Sequence, residues 1–380
     1  MAERLCIALI TERFGRRFGG AESYAVHLFE ILSKRHDVTV IAREFDHNLS
    51  VKEVRVSRMP GWPGWIRALH FAWHANRLTR SGYDVVHTHA MGPAGDVHVV
   101  HVVPVRYRRI LAQSWWRARL SCLQPRNIAY LWLEAASVQS LPGRYVVAVS
   151  PNVKEQLHAA YPSLRTIEMI APGAHAGSID PTVRADIRAQ FGWASTDIGC
   201  LLVARNPLRK GLAATAHALE RLPNHYKLAV VGADAEARQY LSSRHPALVA
   251  RVCLVDPVSN VSPYYQTADI YVHPTLLDSF GMAPLEAMAH RLPVVLSASQ
   301  YCGFAAFVHD RQDAWVLQDP REPAQIAEAL LSLGEDHALR EQLVAESTSI
   351  VRAHSWSAVA ARYESLYLKV LQDRSQRPRV

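Results

Sequence analysis

One stretch of the chain, His273–Ser297 with the sequence HPTLLDSFGMAPLEAMAHRLPVVLS, decides the predicted fold. It predicts a buried strand end, a turn over Leu276–Gly281, a helix over Ala283–His290 and a second strand. The N–H groups at a helix start lack intrahelical partners, and the helix dipole there favours an anion such as a diphosphate. Glu286, in the first turn, can accept hydrogen bonds from both hydroxyls of a ribose, and Asp278 lies on the turn before it.

Each acid in this stretch also has an ordinary structural explanation. Glu286 could simply complement the helix dipole, and Asp278 could simply be a turn residue. Pro284 has no N–H group but fits the first turn of a helix. Taken one at a time, the residues favour these structural explanations, whereas the surrounding sequence favours a nucleotide-sugar site.

The two acids resemble the acidic-x7-Glu signature of the retaining glycosyltransferases of family 4. That family has the GT-B architecture, an α/β fold of two Rossmann-like domains with parallel sheets facing a central cleft. The resemblance implies that Glu286 binds the donor ribose, while Gly281, Met282 and Ala283 hold the distal phosphate. It also implies that Asp278 contacts the donor sugar. The usual residue there is Glu, so Asp278 could tune the choice of sugar or mark a weakened site.

A basic loop, VARNPLRKG, follows the first predicted strand of the second half, where open α/β sheets bind ligands. Arg205 and Lys210 in this loop could neutralise a diphosphate and stabilise the charge that grows as the glycosidic bond breaks. The spacing of five matches an Arg and a Lys that hold these positions in family 4. The alternative is a solvated basic turn, which is our interpretation of Arg209.

Further donor contacts are predicted in two loops. Gly19 and Gly20 follow the first strand and precede a helix, so they can bring backbone amides close to a phosphate. The pair lacks G-x-G-x-x-G spacing, which counts against a dinucleotide oxidoreductase. In family 4 the same loop faces the donor diphosphate. Base contacts in this fold come from backbone after Val255, at Pro257 and Val258.

Four histidines fall in HTHAMGPAGDVHVVHVV and invite a metal interpretation. Strand periodicity places His87 and His89 on one side, but His98 and His101 are three apart, so no convergent cluster and no metal site is predicted. The resemblance implies that His101 approaches the donor sugar or the acceptor hydroxyl; a half-buried strand histidine is the equal alternative. Asp96 is a weaker candidate for acceptor binding. The predicted catalytic residues are Arg205, Lys210, His101 and Asp278.

Apolar runs alternate with amphipathic helical stretches in both halves, which predicts parallel sheets covered by helices. The predicted strands are Leu5–Ile10, Val38–Arg43, Val85–His89, Val97–Val103, Val146–Ser150, Cys200–Ala204, Leu228–Gly232, Val252–Val255, Ile270–His273 and Val294–Ser297.

The predicted domains are an acceptor-binding domain over 1–170 and a nucleotide-sugar-binding domain over 182–354. The segment 171–181, APGAHAGSIDP, is the predicted linker between them. Residues 355–380 are expected to contain a helix with one apolar face. By resemblance to GT-B enzymes, this helix should cross back to the N-terminal domain.

Composition narrows the classes of partner. The 380 residues are 49% hydrophobic, and the formal charge of +8 with a pI near 9.3 indicates anionic partners. The chain has no zinc-finger spacing, RNP-type motif or evident helix-turn-helix, which argues against nucleic acid. The N-terminal apolar run is too short for a membrane span and lacks a cleavage site, so we expect a cytoplasmic protein. Five scattered cysteines predict reduced thiols.

Tryptophan and arginine are interleaved between Trp62 and Trp116. Together they suit the interface of an anionic membrane, with rings at the headgroup level and guanidiniums on phosphate. The alternative for the helix near 62–80 is that Trp65, Leu69 and Trp73 face the core. For RYRRILAQSWWRAR we favour a membrane or an acceptor phosphate.

One segment departs from the family pattern. Family members often carry Gly-Gly-x-x-Glu after the strand that corresponds to Val294–Ser297, whereas this chain has CGFAAFV, with Phe307 in the place of the Glu. A similar segment occurs in bacterial lipopolysaccharide core glucosyltransferases. This similarity favours an envelope glycolipid as the acceptor.

The predicted function is transfer of a sugar, with retention, from a nucleotide diphosphate donor to a lipopolysaccharide, glycolipid or envelope polysaccharide. A UDP-sugar is the favoured donor. The family mechanism uses no protein nucleophile, and we expect no metal or other cofactor. The alternatives are a GT-B sugar-nucleotide epimerase and a non-catalytic protein that binds a sugar nucleotide or a lipid. The expected location is the inner face of the cytoplasmic membrane, with peripheral attachment.

Overall fold

All ten apolar runs that predict strands form strands in the structure, a computed structural model that describes residues 4–177 and 179–375. The chain divides into two units: unit 1 contains Met1–Pro172 and Trp356–Val380, and unit 2 contains Gly173–Ser355. Each unit is built on one large all-parallel sheet covered by helices, and unit 1 has a small second sheet, which confirms the predicted α/β fold with two Rossmann-like domains.

Unit 1 contains a seven-stranded sheet and a small two-stranded one. The strands are β1 (Cys6–Ile10), β2 (Arg13–Gly15), β3 (Asp37–Ala42), β4 (Glu44–Asp46), β5 (Lys52–Arg55), β6 (Val85–Thr88), β7 (Val97–Val100), β8 (Tyr145–Ala148) and β9 (Ile167–Met169). The helices are α1 (Gly20–Leu32), α2 (Gly64–Leu78), α3 (Trp115–Leu123), α4 (Pro125–Ser137), α5 (Pro151–Ala160) and α13 (Trp356–Ser375), with a π-helical turn at Tyr107–Leu111.

The strand order in the larger sheet is β5-β3-β1-β6-β7-β8-β9, and β2 pairs with β4. The chain moves outward from β1 in one direction through β3 and β5, and then in the other direction from β6 to β9. The order therefore reverses between β1 and β6. Loops at the carboxyl ends of those two strands flank a crevice where open α/β sheets bind ligands.

Unit 2 repeats this design with a six-stranded sheet. Its strands are β10 (Ile198–Val203), β11 (Tyr226–Val231), β12 (Val252–Val255), β13 (Ile270–His273), β14 (Val294–Ser297) and β15 (Trp315–Leu317). Its helices are α6 (Pro181–Gln190), α7 (Leu212–Glu220), α8 (Ala235–Arg244), α9 (Ser262–Thr267), α10 (Met282–Ala289), α11 (Pro323–Glu335) and α12 (His337–Ala353), with 3₁₀ turns at Pro246–Leu248 and Gly303–Phe307. The strand order is β12-β11-β10-β13-β14-β15, so the reversal lies between β10 and β13.

Much of the predicted linker is held by unit 2. Ala174 forms a parallel bridge with Ser355, and the N–H of Gly177 donates to the carbonyl of Ala289 at 3.0 Å. Ser178 lies outside the described residues. Asp180 caps α6 by accepting from the N–H of Thr182 at 2.9 Å, so the helix begins at the last residue of the predicted linker.

The C-terminal helix α13 belongs to unit 1, where its apolar face is buried. The hydroxyl of Tyr363 on this face is 2.7 Å from the hydroxyl of Tyr24 on α1, and both rings are fully buried. Trp356 packs edge-on against Tyr24 with ring centroids 5.1 Å apart. The last part of the predicted C-terminal segment, residues 376–380, lies outside the described residues.

Candidate functional site

The loops that follow β10 and β13 meet at the strand-order reversal of unit 2, because these two strands are neighbours in the sheet. Gly211 lets them approach closely. Its φ is +93°, and a Cβ atom there would lie 2.1 Å from the carbonyl oxygen of Pro274, a distance that no side chain allows. The N–H of Leu276 also donates to the carbonyl of Arg209 at 3.2 Å. The predicted basic loop and the predicted acidic turn therefore form one structure.

Lys210 and Asp278 pair across these two loops. The ammonium of Lys210 donates to Oδ2 of Asp278, and Nε2 of His273 donates to the same oxygen at 3.1 Å. The hydroxyl of Tyr271 in turn lies 3.2 Å from Nδ1 of His273. Burial alone would raise the pKa of Asp278, but the hydrogen bond from His273 and the charge of Lys210 hold that pKa well below its usual range. Asp278 is therefore an ionised anchor for the lysine.

The glycine before α10 is a second required position. Gly281 has a φ of +102°, and a Cβ there would lie 2.7 Å from Sγ of Cys302 in the loop after β14. The helix begins at Met282, one residue before the predicted start, so the N–H groups of Met282 and Ala283 lie in its first turn. These N–H groups have no partner within the helix and can bind an anion.

Glu286 lies in the same helix, partly buried, with the hydroxyl of Tyr265 donating to its carboxylate at 3.0 Å. Burial raises the pKa of Glu286 to about 7, although the hydrogen bond from Tyr265 lowers it. The ring of Tyr265 stacks on His290 with centroids 5.0 Å apart, and Nε2 of His290 is 2.8 Å from the hydroxyl of Ser262. Tyr265 and His273 are site residues that the sequence interpretation missed, because neither stands in a recognisable spacing.

The remaining predicted residues of unit 2 lie on exposed parts of the same edge. Arg205 is exposed where the loop leaves β10, and Val258 is exposed in the loop after β12. Phe307, which stands where relatives often have Glu, packs against Phe280 and His354 with centroid distances of 6.0 and 4.9 Å. The departure from the family pattern is therefore an aromatic cluster next to the α10 turn.

In unit 1, Gly19 and Gly20 form the start of α1. A Cβ on Gly19 would lie 2.6 Å from Oε2 of Glu22, whose side chain folds back over it. Glu22 accepts from Arg13 at 2.7 Å. Glu22 therefore lies in the first turn of α1 and also forms an ion pair with Arg13.

Three of the four histidines converge, contrary to the prediction. Nε2 of His101 is 3.0 Å from Nδ1 of His89, Nε2 of His89 is 2.9 Å from Nε2 of His87, and Nδ1 of His87 is 2.6 Å from the hydroxyl of Tyr367. We call these four residues the histidine chain. His101 lies beyond the end of β7, so strand periodicity does not apply to it. His98 faces the carbonyl of Gly95 at 3.2 Å instead.

The histidine chain is neutral and has one direction. Burial lowers the pKa of His87 to about 3 and that of His101 to about 4, and it lowers the pKa of His89 well below the ordinary value. Among the described residues the hydroxyl of Tyr367 has no other hydrogen-bond partner, so its proton goes to His87. From this end we infer that each neutral ring donates to the next, while His89 also has a hydrogen bond with the backbone of Ala21. His101 accepts at Nε2 and keeps Nδ1–H as a donor.

Asp96 has a structural position, which corrects its prediction as an acceptor contact. It lies at the amino-terminal end of β7, whereas His101 follows the carboxyl end. Its Oδ2 accepts from the N–H of Val86 at 2.7 Å, and its Oδ1 accepts from Arg374 on α13. One carboxylate oxygen is therefore bonded to strand β6 and the other to the C-terminal helix.

A cavity of about 1160 Å³ lies in unit 1. His89 and His101 line it, together with the first turn of α2, the start of α4 and the π-helical turn. Seven arginines and four glutamates contribute to its wall, and we call it the arginine cavity. The arginines are Arg13, Arg43, Arg58, Arg67, Arg108, Arg109 and Arg126.

The surface near this cavity carries exposed aromatic and basic side chains. On α3, Trp115 is 71% exposed, and the guanidiniums of Arg119 and Arg117 lie over the rings of Trp115 and Trp116. On α2, Trp73 is exposed, so the proposed core-facing role is wrong for that residue. The buried face of α2 consists of Ala68, Phe71, Ala72 and Ala75. Within the described residues, no helix combines the length and apolar character needed to cross a membrane.

Comparison with known proteins gives the following matches. Residues 198–336 match the family model described as glycosyl transferases group 1, and residues 18–176 match that of glycosyltransferase family 4. The D-inositol 3-phosphate glycosyltransferase of Xylanimonas cellulosilytica is 26% identical over 320 residues, which are 78% of this chain and 74% of that protein.

Two solved structures share the fold. WaaG, a glycosyltransferase involved in lipopolysaccharide biosynthesis, matches with a TM-score of 0.81 and 19% identity over 95% of this chain and 99% of its own. Anabaena Alr3699/HepE, in complex with UDP and glucose, matches with a TM-score of 0.71 and 15% identity over 95% and 99% of the two chains. At these identities the likeness concerns the fold alone.

Proposed function

The chain belongs to glycosyltransferase family 4 and is a GT-B glycosyltransferase, and we propose that it transfers a sugar, with retention, from a nucleotide diphosphate to an acceptor of the cell envelope. The observation that carries this proposal is the edge of unit 2. Lys210 lies on the loop after β10, and Glu286 lies in α10, which follows the loop after β13. Gly211 lets these two loops approach closely. A cation, free N–H groups and a carboxylate are the groups that a diphosphate and a ribose require.

In this proposal each side chain has one task. The Met282 and Ala283 amides bind the distal phosphate, and Lys210 and Arg205 stabilise the charge that develops on the leaving diphosphate. Glu286 accepts hydrogen bonds from the ribose hydroxyls. Asp278 contacts the donor sugar through Oδ1, because Oδ2 already accepts from Lys210 and His273.

Unit 1 supplies the acceptor side. The free Nδ1–H of His101 is a donor for a hydroxyl of the donor sugar or the acceptor, and the amides of Gly19 and Gly20 approach the donor diphosphate. No protein nucleophile, metal or cofactor takes part, so positioning and charge stabilisation provide the rate enhancement.

The favoured donor is a UDP-sugar, which is supported by the UDP complexes of the Anabaena protein of the same fold. The favoured acceptor is a lipopolysaccharide, glycolipid or envelope polysaccharide. The exposed tryptophans and arginines of α3 support attachment to an anionic membrane, at the inner face of the cytoplasmic membrane.

A thermal-shift screen with UDP, GDP, ADP and their sugars tests the donor assignment. One base should raise the melting temperature strongly, because a ligand that binds only the folded state stabilises it by mass action. Product analysis with the stabilising nucleotide sugar then tests the reaction. Epimerised sugar in the absence of an acceptor would identify an epimerase, and binding without any turnover on envelope extracts would identify a binding protein.

A further inference from the structure

Arginines outnumber glutamates in the wall of the arginine cavity, and one of the glutamates, Glu12, acts electrostatically on Arg43. The wall contains seven arginines and four glutamates, and the histidines that line it are neutral. Three of the four glutamates are already engaged. Glu22 pairs with Arg13 at 2.7 Å, and Glu44 lies 3.9 Å from Arg58. The third is Glu134, whose carboxylate accepts hydrogen bonds from backbone N–H groups.

Glu134 holds the turn that presents two of the arginines. It is 6% exposed, and its carboxylate accepts from the N–H groups of Val105 and Arg106 at 2.5 and 2.8 Å and from the hydroxyl of Tyr161 at 2.8 Å. These N–H groups lie just before the π-helical turn Tyr107–Leu111. The carboxylate thereby fixes the turn and is not available to an arginine side chain of the cavity.

Four arginines of the wall have no carboxylate partner among residues 4–177 and 179–375: Arg67, Arg108, Arg109 and Arg126. They come from three separate elements, α2, the π-helical turn and α4. Arg67, Arg108 and Arg126 are exposed and Arg109 is half-buried, so water screens part of their mutual repulsion, and an anion in the cavity would compensate the remaining charge.

A buried donor inside the same wall supports an anion site. Arg43 is 8% exposed; its two terminal nitrogens donate to the carbonyls of Ser57 and Arg67, while its Nε has no hydrogen-bond partner. Buried N–H groups almost always have a partner, and Arg43 lines the cavity. Next to it, the α2 helix starts at Gly64, where a Cβ would lie 3.9 Å from Nη2 of Arg67 and 3.6 Å from Oη of Tyr130.

We propose that the arginine cavity binds a phosphate group carried by the acceptor. Arg67, Arg108, Arg109 and Arg126 donate to the phosphate oxygens, and the first turn of α2 adds its dipole and N–H groups. Rigid guanidinium forks suit phosphate better than lysines would, and this cavity contains no lysine. The proposal rests on the proposed function, in which unit 1 binds the acceptor, and it specifies that the acceptor is a phosphate ester.

The phosphate can belong to a soluble polyol or to a lipid headgroup, so the test has two arms. In the first, calorimetry measures binding of myo-inositol 1-phosphate and of neutral myo-inositol, with the unit 2 site saturated by the nucleoside diphosphate found in the screen. In the second, co-sedimentation measures binding to phosphatidylcholine vesicles with and without phosphatidic acid. Wild type is compared with the double variant Arg67→Gln and Arg126→Gln.

A matched control removes the same charge elsewhere in unit 1. Arg80→Gln with Arg165→Gln changes two exposed arginines that do not line the cavity. We expect the cavity variant to lose at least about tenfold in phosphate affinity in one arm or both, and the control to lose at most about twofold. Retained phosphate affinity in the cavity variant, or equal losses in both variants, would overturn the proposal.

The two arms also identify the source. Binding of the soluble phosphate that is lost in the cavity variant indicates a polyol phosphate, and loss confined to the vesicle arm indicates a lipid phosphate. Wild type that binds neither probe would overturn the proposal. Nucleoside diphosphate affinity of the cavity variant should equal that of wild type, so failure of the donor assignment shows separately, as the absence of nucleotide binding in all three proteins.

Discussion

The candidate sites in the two units differ in whether their cationic side chains are paired with carboxylates. In unit 2, Lys210 is paired with Asp278, and Glu286 has a pKa near neutrality. In unit 1, the histidines are neutral and four cavity arginines have no acidic partner within the described residues. In unit 2 a carboxylate of the fold therefore compensates the lysine, whereas in unit 1 the four arginines carry positive charge that an anionic ligand can compensate.

The two sites also differ in how they are held in place. Unit 2 relies on close backbone contacts, since Gly211 and Gly281 bring adjacent loops within distances that a Cβ would not allow. Unit 1 relies on side-chain hydrogen bonds that reach α13, through the histidine chain and through Asp96 with Arg374. Substitutions should therefore act through steric clash in unit 2 and through lost hydrogen bonds in unit 1.

The largest loss of folding stability is expected for Gly211→Ala. The new methyl would overlap the carbonyl of Pro274, and alanine disfavours a φ of +93°. Overpacking and backbone strain together should lower the free energy of unfolding by about 3 to 4 kcal/mol. Lys210 is adjacent to Gly211 in the same loop, so displacement of this loop should also weaken the binding of a nucleoside diphosphate. Denaturant unfolding and calorimetry measure the two effects.

Gly192→Ala is the control for backbone strain. Gly192 has a φ of +67°, but a Cβ there would meet nothing within 4 Å. It should cost about 1 kcal/mol and leave nucleotide binding unchanged. Equal losses in the two variants would show that strain alone is responsible and that the two loops are not held by close contact.

The next effect is loss of donor binding in Glu286→Ala. Removing the carboxylate should weaken nucleoside diphosphate affinity about a hundredfold, which is about 2.7 kcal/mol. Glu236→Ala is the control, because Glu236 is a carboxylate near the start of another helix of unit 2, α8, whereas Glu286 lies just past the first turn of α10. Calorimetry should show no change for Glu236→Ala. Equal affinities for wild type and Glu286→Ala would mean that Glu286 only complements the helix dipole.

Local signals in the sequence correctly predicted the secondary structure around the candidate site of unit 2. The strand, turn and helix of His273–Ser297 follow from a buried run, a glycine and a proline, all close together in the chain. The paired loops could be anticipated because both follow strand ends. The role of Tyr265 could not be anticipated, since this residue contacts Glu286 from a different helix, twenty-one residues earlier in the chain.

The histidine chain shows the limit of pattern reasoning in unit 1. Strand alternation correctly placed His87 and His89 on one side. It failed for His101, which lies past the last residue of β7, and no spacing indicates that Tyr367 returns from the far end of the chain. These contacts depend on the order of the strands in the sheet and on the packing of α13 against unit 1. They are tertiary contacts, and the local periodicity of the sequence carries no information about them.

The raised pKa of Glu286 predicts a pH dependence of stability. Its folded pKa is about 7, and its unfolded pKa is about 4.3. For an acid with a raised pKa, the stabilising contribution is complete below the unfolded value and is lost as pH rises through the folded value. Wild type should therefore lose stability relative to Glu286→Gln between pH 5 and pH 8, on the order of 2 kcal/mol.

Denaturant unfolding of both proteins at pH 5 and pH 8 measures this difference. Asp278 does not interfere, because its lowered pKa shifts stability only at more acidic pH. A difference between the two proteins that stays constant across this range would show that Glu286 is ionised in the free protein. The unit 2 site would then contain an uncompensated carboxylate, and the contrast between the units would weaken.

The smallest effect is expected for Tyr367→Phe, which tests the direction of the histidine chain. Without the hydroxyl, Nδ1 of His87 is buried without a donor, which should cost about 1 to 2 kcal/mol of stability. Tyr363→Phe is the matched control, because it removes a neighbouring hydroxyl that pairs with Tyr24 and not with a histidine.

Nitrogen-15 NMR of the imidazoles reports the tautomers directly. In wild type His101 should carry its proton on Nδ1; Tyr367→Phe should change that signature and lower the transfer rate about fivefold, with nucleotide affinity unchanged. A His101 signal that is the same in wild type and both variants would mean that the four residues are a structural contact and not a directed chain.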